Sequence, residues 1–188
     1  MNDYKIYKSK TVLENHSEFV FECVKLNKEI RENYSVGDGY STTWEYGRYN
    51  IFNLRRGNKL FDALREELVD IIKENCVGVG ECWVQSWLNF DTYDTVEKNL
   101  LLHDHQLPVH GYISVDPKNT KTNFPYAGFE VVNEVGKIYI GPGRAEETEK
   151  WKHEVINTSK YGGTRITIAF DVVFEHPKIE SFRWFKVD

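Results

Sequence analysis

The fold class is decided by Trp83-Val84-Gln85-Ser86-Trp87-Leu88-Asn89-Phe90, a stretch whose side chains sort into two faces with a period of two. Positions 83, 85, 87 and 89 form one face, and positions 84, 86, 88 and 90 form the other. Alternation of this kind is typical of a β-strand, in which successive side chains lie on opposite faces. The pattern is helical before Glu81 and extended after it.

Further strands are predicted on the C-terminal side of this stretch, separated by turn-forming residues such as Gly141-Pro142-Gly143 and Gly162-Gly163. The predicted strands are Val109–Asp116, Phe129–Asn133, Gly136–Gly141 and Arg165–Phe174.

On the N-terminal side the sequence predicts two helices. The first has an apolar stripe made of Phe19, Cys23, Leu26 and Ile30. Asn15, with Glu18 three residues later, is a candidate cap for it. The second runs from Asn58 to Asn75 with a stripe of Leu60, Leu64, Leu68, Ile71 and Ile72, and Gly78 and Gly80 end it. Residues Tyr40–Arg56, rich in Thr, Tyr, Trp and Ile, are predicted to form one or two strands.

Helices followed by many short strands favour a mainly β protein, a sandwich or barrel backed by helices. No repeat, low-complexity stretch or linker interrupts the sequence, so we expect a single domain over residues 1–188. Its expected parts are a helical support region (1–80), a β core (81–175) and a C-terminal segment (176–188).

The composition narrows the function classes. The net charge is −5 and the basic residues are scattered, so on electrostatic grounds we do not expect duplex nucleic acid as a partner. Three cysteines without paired spacing are typical of reduced thiols. No run approaches the roughly 20 apolar residues of a membrane span, so we expect a cytoplasmic protein without a membrane partner.

Histidines are concentrated in the β-rich half of the chain. His103 and His105 are two residues apart on a segment expected to be extended, which places both imidazoles on one face, and His153 follows the Gly-Pro-Gly turn. Imidazole binds Fe, Zn, Cu or Ni, so these residue types predict a metal site without choosing the metal. His110 is expected in the wall of a pocket or packed on a strand, and His16 and His176 at the surface.

Arg165 begins an apolar strand twelve residues after His153 and shares a face with Thr167 and Ala169. If that face turns inward, a buried guanidinium requires an anionic partner. Its planar fork suits a carboxylate, and the Thr167 hydroxyl can add a hydrogen bond.

These features together resemble the 2-oxoglutarate/Fe(II)-dependent oxygenase superfamily, and more narrowly the 2OG-Fe(II) oxygenase group of bacteria and tailed phages. The similar segments, in order from about Trp83 to Phe174, are Ser86-Trp87-Leu88-Asn89, His103-Asp104-His105, His110-Gly111-Tyr112-Ile113-Ser114-Val115, Gly136-Lys137-Ile138-Tyr139-Ile140, His153-Glu154-Val155 and Arg165-Ile166-Thr167-Ile168-Ala169-Phe170.

The resemblance implies a double-stranded β-helix (jelly-roll, cupin-like) and a hydroxylase that uses Fe(II) with 2-oxoglutarate as co-substrate. It implies that His103 is the first and His153 the distal iron ligand. It also implies that Arg165 and Thr167 hold the distal carboxylate of 2-oxoglutarate. By the same resemblance, Asn89 and Tyr112 are candidate contacts to the co-substrate or the substrate.

One residue departs from the superfamily pattern. Most members carry a carboxylate two residues after the first histidine, whereas this chain carries His105. The predicted ligand set is therefore His103, His105 and His153, and bound 2-oxoglutarate would balance the charge of the metal. Asp104 ligates only if the backbone departs from a strand, and His105 fills the space that a halide would need. Asp91 and Asp94 are expected in a turn, with a minor alternative as substrate contacts.

Two other function classes stay open at this stage. One is a cupin-type metal dioxygenase or isomerase that uses the three histidines without 2-oxoglutarate. The other is a non-catalytic β-sandwich binding module whose histidines are incidental. The sequence does not identify the primary substrate and is compatible with a homodimer.

Overall fold

The computed structural model of the chain describes residues 3–34, 49–143, 149–177 and 181–188. Within these ranges the helices are α1 Lys10–Glu14, α2 His16–Asn33, α3 Ile51–Leu54, α4 Lys59–Asn75 and α5 Tyr93–Asn99. The strands are β1 Lys5–Lys8, β2 Cys82–Thr92, β3 Val109–Asp116, β4 Thr120–Phe124, β5 Phe129–Val132, β6 Lys137–Pro142, β7 Glu154–Asn157, β8 Thr164–Val173 and β9 Phe185–Val187.

The strands form two antiparallel sheets. The larger has the order β1-β6-β3-β8-β2-β9, and the smaller has the order β5-β4-β7. The long strands β2 and β8 pair from Trp83 opposite Val173 to Thr92 opposite Thr164. This register places the same-face residues of β2 and β8 side by side along the middle of the larger sheet.

The two sheets face each other across an aromatic interior. The ring of Phe124 in β4 stacks 5.0 Å from the ring of Tyr139 in β6. The hydroxyl of Tyr112 in β3 donates to the side-chain oxygen of Asn133, just after β5, over 3.0 Å. Two facing antiparallel sheets of this order are a jelly-roll double-stranded β-helix, the expected fold class.

The predicted helical stripes pack against the larger sheet. The buried residues of α2 are Phe19, Cys23, Leu26 and Ile30, all four of the predicted stripe. Those of α4 are Phe61, Leu64, Leu68 and Ile72. Phe19 and Phe61 join the helices with ring centroids 5.0 Å apart. The outward residues of the central strands, including Leu88, Ile113 and Ile168, are fully buried beneath this layer.

The two predicted helix starts have different outcomes. The side chain of Asn58 accepts hydrogen bonds from the amides of Leu60 and Phe61, as an N-cap does. The Asn15 side chain makes no cap bond to α2 and instead donates to the carbonyl oxygen of Thr11. The predicted capping role of Asn15 is therefore wrong, because its backbone, at φ −123° and ψ 29°, does not have the extended conformation usual for a capping residue.

The four predicted strands after residue 100 lie within one residue of the observed bounds at each end, and β3 matches at both ends. The stretch predicted from Trp83 to Phe90 is observed as the longer strand β2, which ends two residues later at Thr92. The predicted strand region Tyr40–Arg56 is only partly described. Its residues 49–56 contain helix α3 in place of a strand, and the side chain of Asn50 caps this helix by accepting from the amide of Phe52. Residues 40–48 lie outside the described residues. Among the described residues, no helix is both long and apolar enough to span a bilayer.

Candidate metal centre and anion pocket

The three histidines predicted as ligands lie together at one end of the space between the sheets. His103 and His105 follow α5 on an irregular segment, and His153 directly precedes β7. His103 and His153 form an antiparallel backbone bridge in which each amide donates to the other residue's carbonyl oxygen over 2.9 Å. This bridge places two of the imidazoles next to each other, although they are far apart in the sequence.

The histidine rings converge closely enough to share one ion. One ligand atom from each of His103, His105 and His153 lies within 4.8 Å of the other two. The ring centroids of His103 and His153 are 4.6 Å apart, and that of His105 is 5.3 Å from each. Three imidazole nitrogens about 2.1 Å from a shared metal are about 3.4 Å apart at tetrahedral angles. Small side-chain rotations would therefore complete the coordination.

Hydrogen bonds at Nδ1 orient two of these imidazoles. The Nδ1 of His103 lies 2.6 Å from the carbonyl oxygen of Leu101, and that of His153 lies 3.2 Å from the carbonyl oxygen of Trp151. A carbonyl oxygen only accepts, so in each ring Nδ1 carries the proton and donates. The lone pair then resides on Nε2, which is the arrangement found in metal-binding histidines.

Two residues join the cluster that were not predicted as part of it. The ring of His110 stacks on that of His105 at a centroid distance of 3.3 Å and an angle of 12°. The buried carboxylate of Asp171 in β8 lies 3.0 Å from the Nδ1 of His110 and 3.3 Å from the Nδ1 of His105. His105, His110 and Asp171 thus form a second group of potential ligands next to the first.

A sequence signal for Asp171 exists. It continues the i, i+2 alternation of Arg165, Thr167 and Ala169 along the same strand, so it belongs to the same inward face. His110 was expected as a pocket wall or packed strand residue, and it is both, being buried in β3 and lining the pocket.

Burial favours the neutral form of three imidazoles in the cluster, those of His103, His110 and His153. It lowers the pKa of His153 well below the usual histidine value, and the neighbouring His103 lowers it further. Burial also lowers the pKa of His110 to about 3, with a further contribution from His105. Burial lowers the pKa of His103 in the same way. Neutral imidazole is the form that binds metal, so no proton must leave these rings before coordination.

A pocket extends from the histidines along the inner face of the larger sheet. Its wall combines residues of both sheets, including Trp87 of β2, Thr122 of β4 and Val155 of β7. All seven residues predicted for the site line this pocket: Asn89, His103, His105, Tyr112, His153, Arg165 and Thr167. The structure therefore brings together every predicted site residue, while their binding roles stay predictions.

The guanidinium of Arg165 forms the second polar feature of the pocket. Arg165 is 3% exposed, and its Nε and Nη1 atoms have no hydrogen-bond partner among the described residues. The hydroxyls of Thr167 beside it and of Ser114, which is opposite Thr167 on β3, are also buried without a partner in the described part of the chain. Burial lowers the pKa of Arg165, but Asp91, Tyr112 and Tyr161 oppose the shift. Unsatisfied donors of this kind are suited to an anion.

Asp91 corrects one expectation from the sequence. It is not in a turn but at the end of β2, fully buried and directly opposite Arg165 in the β2–β8 register. Its Oδ2 lies 3.6 Å from the Nη1 of Arg165, too far for a hydrogen bond. Burial raises the pKa of Asp91, and the charge of Arg165 opposes the rise. Asp94, in contrast, is exposed in the first turn of α5, so the turn predicted for it is also wrong.

The remaining candidates lie away from the centre. Asp104 belongs to neither group of potential ligands found among the described residues. His176 is exposed, as expected, and its ring lies against the edge of Trp83. His16 is half-buried at the start of α2, so the surface position predicted for it is only partly correct.

The residues present fit both groups that the resemblance implies. Three imidazoles with free lone pairs are a donor set that Fe(II) accepts, as do zinc, copper and nickel. The unpartnered donors of Arg165 and Thr167 match the distal carboxylate of 2-oxoglutarate, which would satisfy them through charge-assisted hydrogen bonds.

Comparisons with solved structures give the same fold. The crystal structure of a truncated form of the viral collagen prolyl hydroxylase from Paramecium bursaria chlorella virus 1 aligns with a TM-score of 0.58 and 7% sequence identity, covering 90% of this chain and 88% of the viral chain. The 2OG complex of the same enzyme aligns with a TM-score of 0.54 and 9% identity, covering 90% and 94%. No protein-family model matches the sequence, and no curated protein matches it. At these identities the likeness establishes the architecture.

Proposed function

We propose that this chain is a 2-oxoglutarate- and Fe(II)-dependent oxygenase that hydroxylates a carbon atom of its substrate. One observation carries the proposal: a buried guanidinium with unsatisfied donors lines the same pocket as three convergent imidazoles. The fold adds support, since the viral collagen prolyl hydroxylase that shares it has a structure in complex with 2OG.

The overall reaction consumes one O₂, with one oxygen atom entering the hydroxyl group and the other entering succinate. 2-Oxoglutarate loses CO₂ and is the two-electron reductant, and the substrate C–H bond becomes C–OH. Bound Fe(II) supplies the activation of O₂, which side chains alone cannot provide.

The chain's own residues bind and orient the reactants. His103, His105 and His153 would hold the metal, each presenting one ring nitrogen. Arg165 and Thr167 would bind the distal carboxylate and thereby direct the opposite end of the co-substrate towards the histidines. Trp87 and Ala169, both buried, line the pocket between these polar groups and exclude water.

A second candidate follows from the absence of a carboxylate among the pocket-facing potential ligands of the described residues. An all-imidazole site also suits a cupin-type dioxygenase or isomerase that does not use 2-oxoglutarate. The two candidates differ at Arg165, because only the oxygenase requires its guanidinium for co-substrate binding.

The test measures 2-oxoglutarate binding and turnover in the Fe(II)-loaded full chain. Calorimetry without oxygen should show one 2-oxoglutarate site, and exposure to O₂ should produce succinate slowly even without substrate. Arg165→Met should weaken 2-oxoglutarate binding by about 100-fold or more, since a charge-assisted bidentate contact contributes about 3 kcal/mol. Metal content should not change, because Arg165 is not a ligand.

Arg31→Met is the matched control, because Arg31 is exposed in the last turn of α2. It should retain both binding events. A native chain that binds metal but not 2-oxoglutarate would favour the cupin-type candidate. A native chain that binds no metal would favour the non-catalytic module and contradict the proposal.

A further inference from the structure

Asp171 lies behind the histidine cluster and has no role in the function proposed above. It is 4% exposed, and the pocket is lined by its strand neighbour Ala169 but not by Asp171 itself. A buried carboxylate requires polar partners, because burial without them is costly. Its partners here are two imidazoles.

Both imidazoles approach the same oxygen atom. The Nδ1 of His110 lies 3.0 Å from Oδ1 of Asp171, and the Nδ1 of His105 lies 3.3 Å from that oxygen. The two rings are stacked nearly parallel, and in each of them Nδ1 faces the carboxylate, which leaves Nε2 for another partner. The β3–β8 register fixes part of this arrangement, since His110 and Asp171 are direct cross-strand partners.

Asp171 supplies a negative charge, which the three predicted ligands lack. His105 occupies the position at which a carboxylate is expected from the resemblance, so the three predicted ligands carry no charge. Unlike His103 and His153, His105 directs its Nδ1 towards a carboxylate and not a backbone carbonyl. A carboxylate at the outer nitrogen of a metal-binding imidazole fixes the tautomer and makes the ring a stronger ligand.

We infer that Asp171 is a positioning residue, which accepts the Nδ1 proton of His105, directs Nε2 of that ring to the metal and places a negative charge beside an otherwise neutral ligand set. His110 donates to the same oxygen and holds the carboxylate in place. The inference rests on the metal site of the proposed function, but it does not depend on 2-oxoglutarate.

A competing arrangement uses the same atoms differently. In it, the ion lies between His105, His110 and Asp171, which also have one ligand atom each within 4.8 Å of the others. His103 and His153 would then be dispensable for binding. His105 and His110 line the pocket and Asp171 does not, so pocket lining alone does not choose between the two arrangements.

Co(II) binding to the full chain separates these arrangements, because its visible spectrum reports ligand type and coordination number. Asp171→Asn should weaken Co(II) binding by roughly 10- to 100-fold, the usual cost of losing an outer carboxylate partner, and should shift the spectrum while retaining a bound state. His103→Ala should lose the site. Asp116→Asn is the matched control, since Asp116 lies on the neighbouring strand in an ion pair with Lys118. This variant should bind Co(II) as the native chain does.

Equal affinity and an unchanged spectrum in Asp171→Asn would overturn the inference, and the proposed function would remain. Loss of binding in Asp171→Asn together with full binding in His103→Ala would also overturn it, by placing the ion in the second group. If the native chain itself binds no Co(II), the proposed function and the inference both fail.

A measurement on the native chain covers the case in which Asp171→Asn does not fold. Imidazole ¹⁵N chemical shifts should show His105 and His110 with the proton on Nδ1. On metal binding, the signal of the His105 Nε2 should move or broaden, while the Nδ1 proton persists. A His105 ring protonated at Nε2 would overturn the inference.

Discussion

The two polar ends of the pocket satisfy their hydrogen-bonding groups in different ways. At the histidine end, the Nδ1 atoms of His103, His110 and His153 each have an acceptor within the chain. At the arginine end, Nε and Nη1 of Arg165, the hydroxyl of Thr167 and both carboxylate oxygens of Asp91 have no hydrogen-bond partner among the residues described.

The histidine end is therefore preorganised by the chain, whereas the arginine end has buried polar groups that the described chain leaves unsatisfied. The histidine end is held in position by the chain and presents lone pairs to a cation without further change. The arginine end contains buried donors that an anion from outside would satisfy. We therefore expect variants at the first end to alter metal affinity and variants at the second end to alter stability and co-substrate affinity.

The largest expected effect is at the histidine end. His153→Ala removes one of three predicted ligands, so nickel or Fe(II) affinity should fall by more than the roughly 10- to 100-fold cost of losing an outer-shell partner. Metal titration of the purified chain measures it, with exposed His176→Ala as the control. Native-like affinity in His153→Ala would show that the convergence of the rings has no role in binding.

A smaller effect is expected where the two charges at the arginine end meet. Asp91→Asn leaves the buried Arg165 without its anionic neighbour and should destabilise the chain by about 3 kcal/mol, the lower end for a broken buried ion pair. The lower end applies because the atoms are 3.6 Å apart and not hydrogen-bonded. Urea unfolding without ligands measures the loss.

Asp91→Asn also tests whether the arginine end of the pocket binds an anion or is only a destabilised part of the fold. Bound 2-oxoglutarate would return a negative charge to Arg165, so it should raise the midpoint of unfolding more in Asp91→Asn than in the native chain. Asp94→Asn, at an exposed position, should change stability by less than about 0.5 kcal/mol. An equal ligand-induced rise in native and Asp91→Asn proteins would argue against a carboxylate site at Arg165.

The smallest expected effect is on Thr167, where a substitution should preserve or slightly raise the stability of the free chain and lower its affinity for 2-oxoglutarate. Thr167→Val removes a buried hydroxyl that has no partner within the described ranges, so stability without ligand should stay unchanged or rise slightly. Affinity for 2-oxoglutarate should fall by about tenfold, because a hydrogen bond to a charged group is lost. Calorimetry and urea unfolding on one preparation test both signs, and unchanged affinity would remove Thr167 from the co-substrate site.

Much of the fold was predictable because alternation and helical stripes report burial directly. β3 and β8 follow their predicted ranges, but β4 was not found, since its buried positions include the polar Thr120 and Thr122. β7 was not found because all four of its residues are half-buried, which leaves no alternation to detect. In α3, the apolar Ile51 and Phe52 favour a strand by composition, whereas a helix forms behind the Asn50 cap.

The part of the candidate site that could be predicted is the set of residues that sequence spacing and the family resemblance identify. The spacing along the sequence is enough to identify four candidate residues: His103, His105, His153 and Arg165. Asp91 has no such signal, and the spacing of Asp171 identifies only the strand face on which it lies. The partners of both are set by strand register: Asp91 is opposite Arg165, and Asp171 is opposite His110. Register depends on how whole strands align, which a single sequence does not specify locally.

The reciprocal backbone bridge between His103 and His153 has a thermodynamic consequence. Two distant parts of a chain lose considerable entropy when they are brought together, and that loss normally weakens a site built from both. Here the chain incurs the loss as it folds, so a cation arriving afterwards would meet imidazoles that are already adjacent. The reverse also holds: if this short ladder frays, the two imidazoles separate, and a metal bound to them as we propose would be held less tightly.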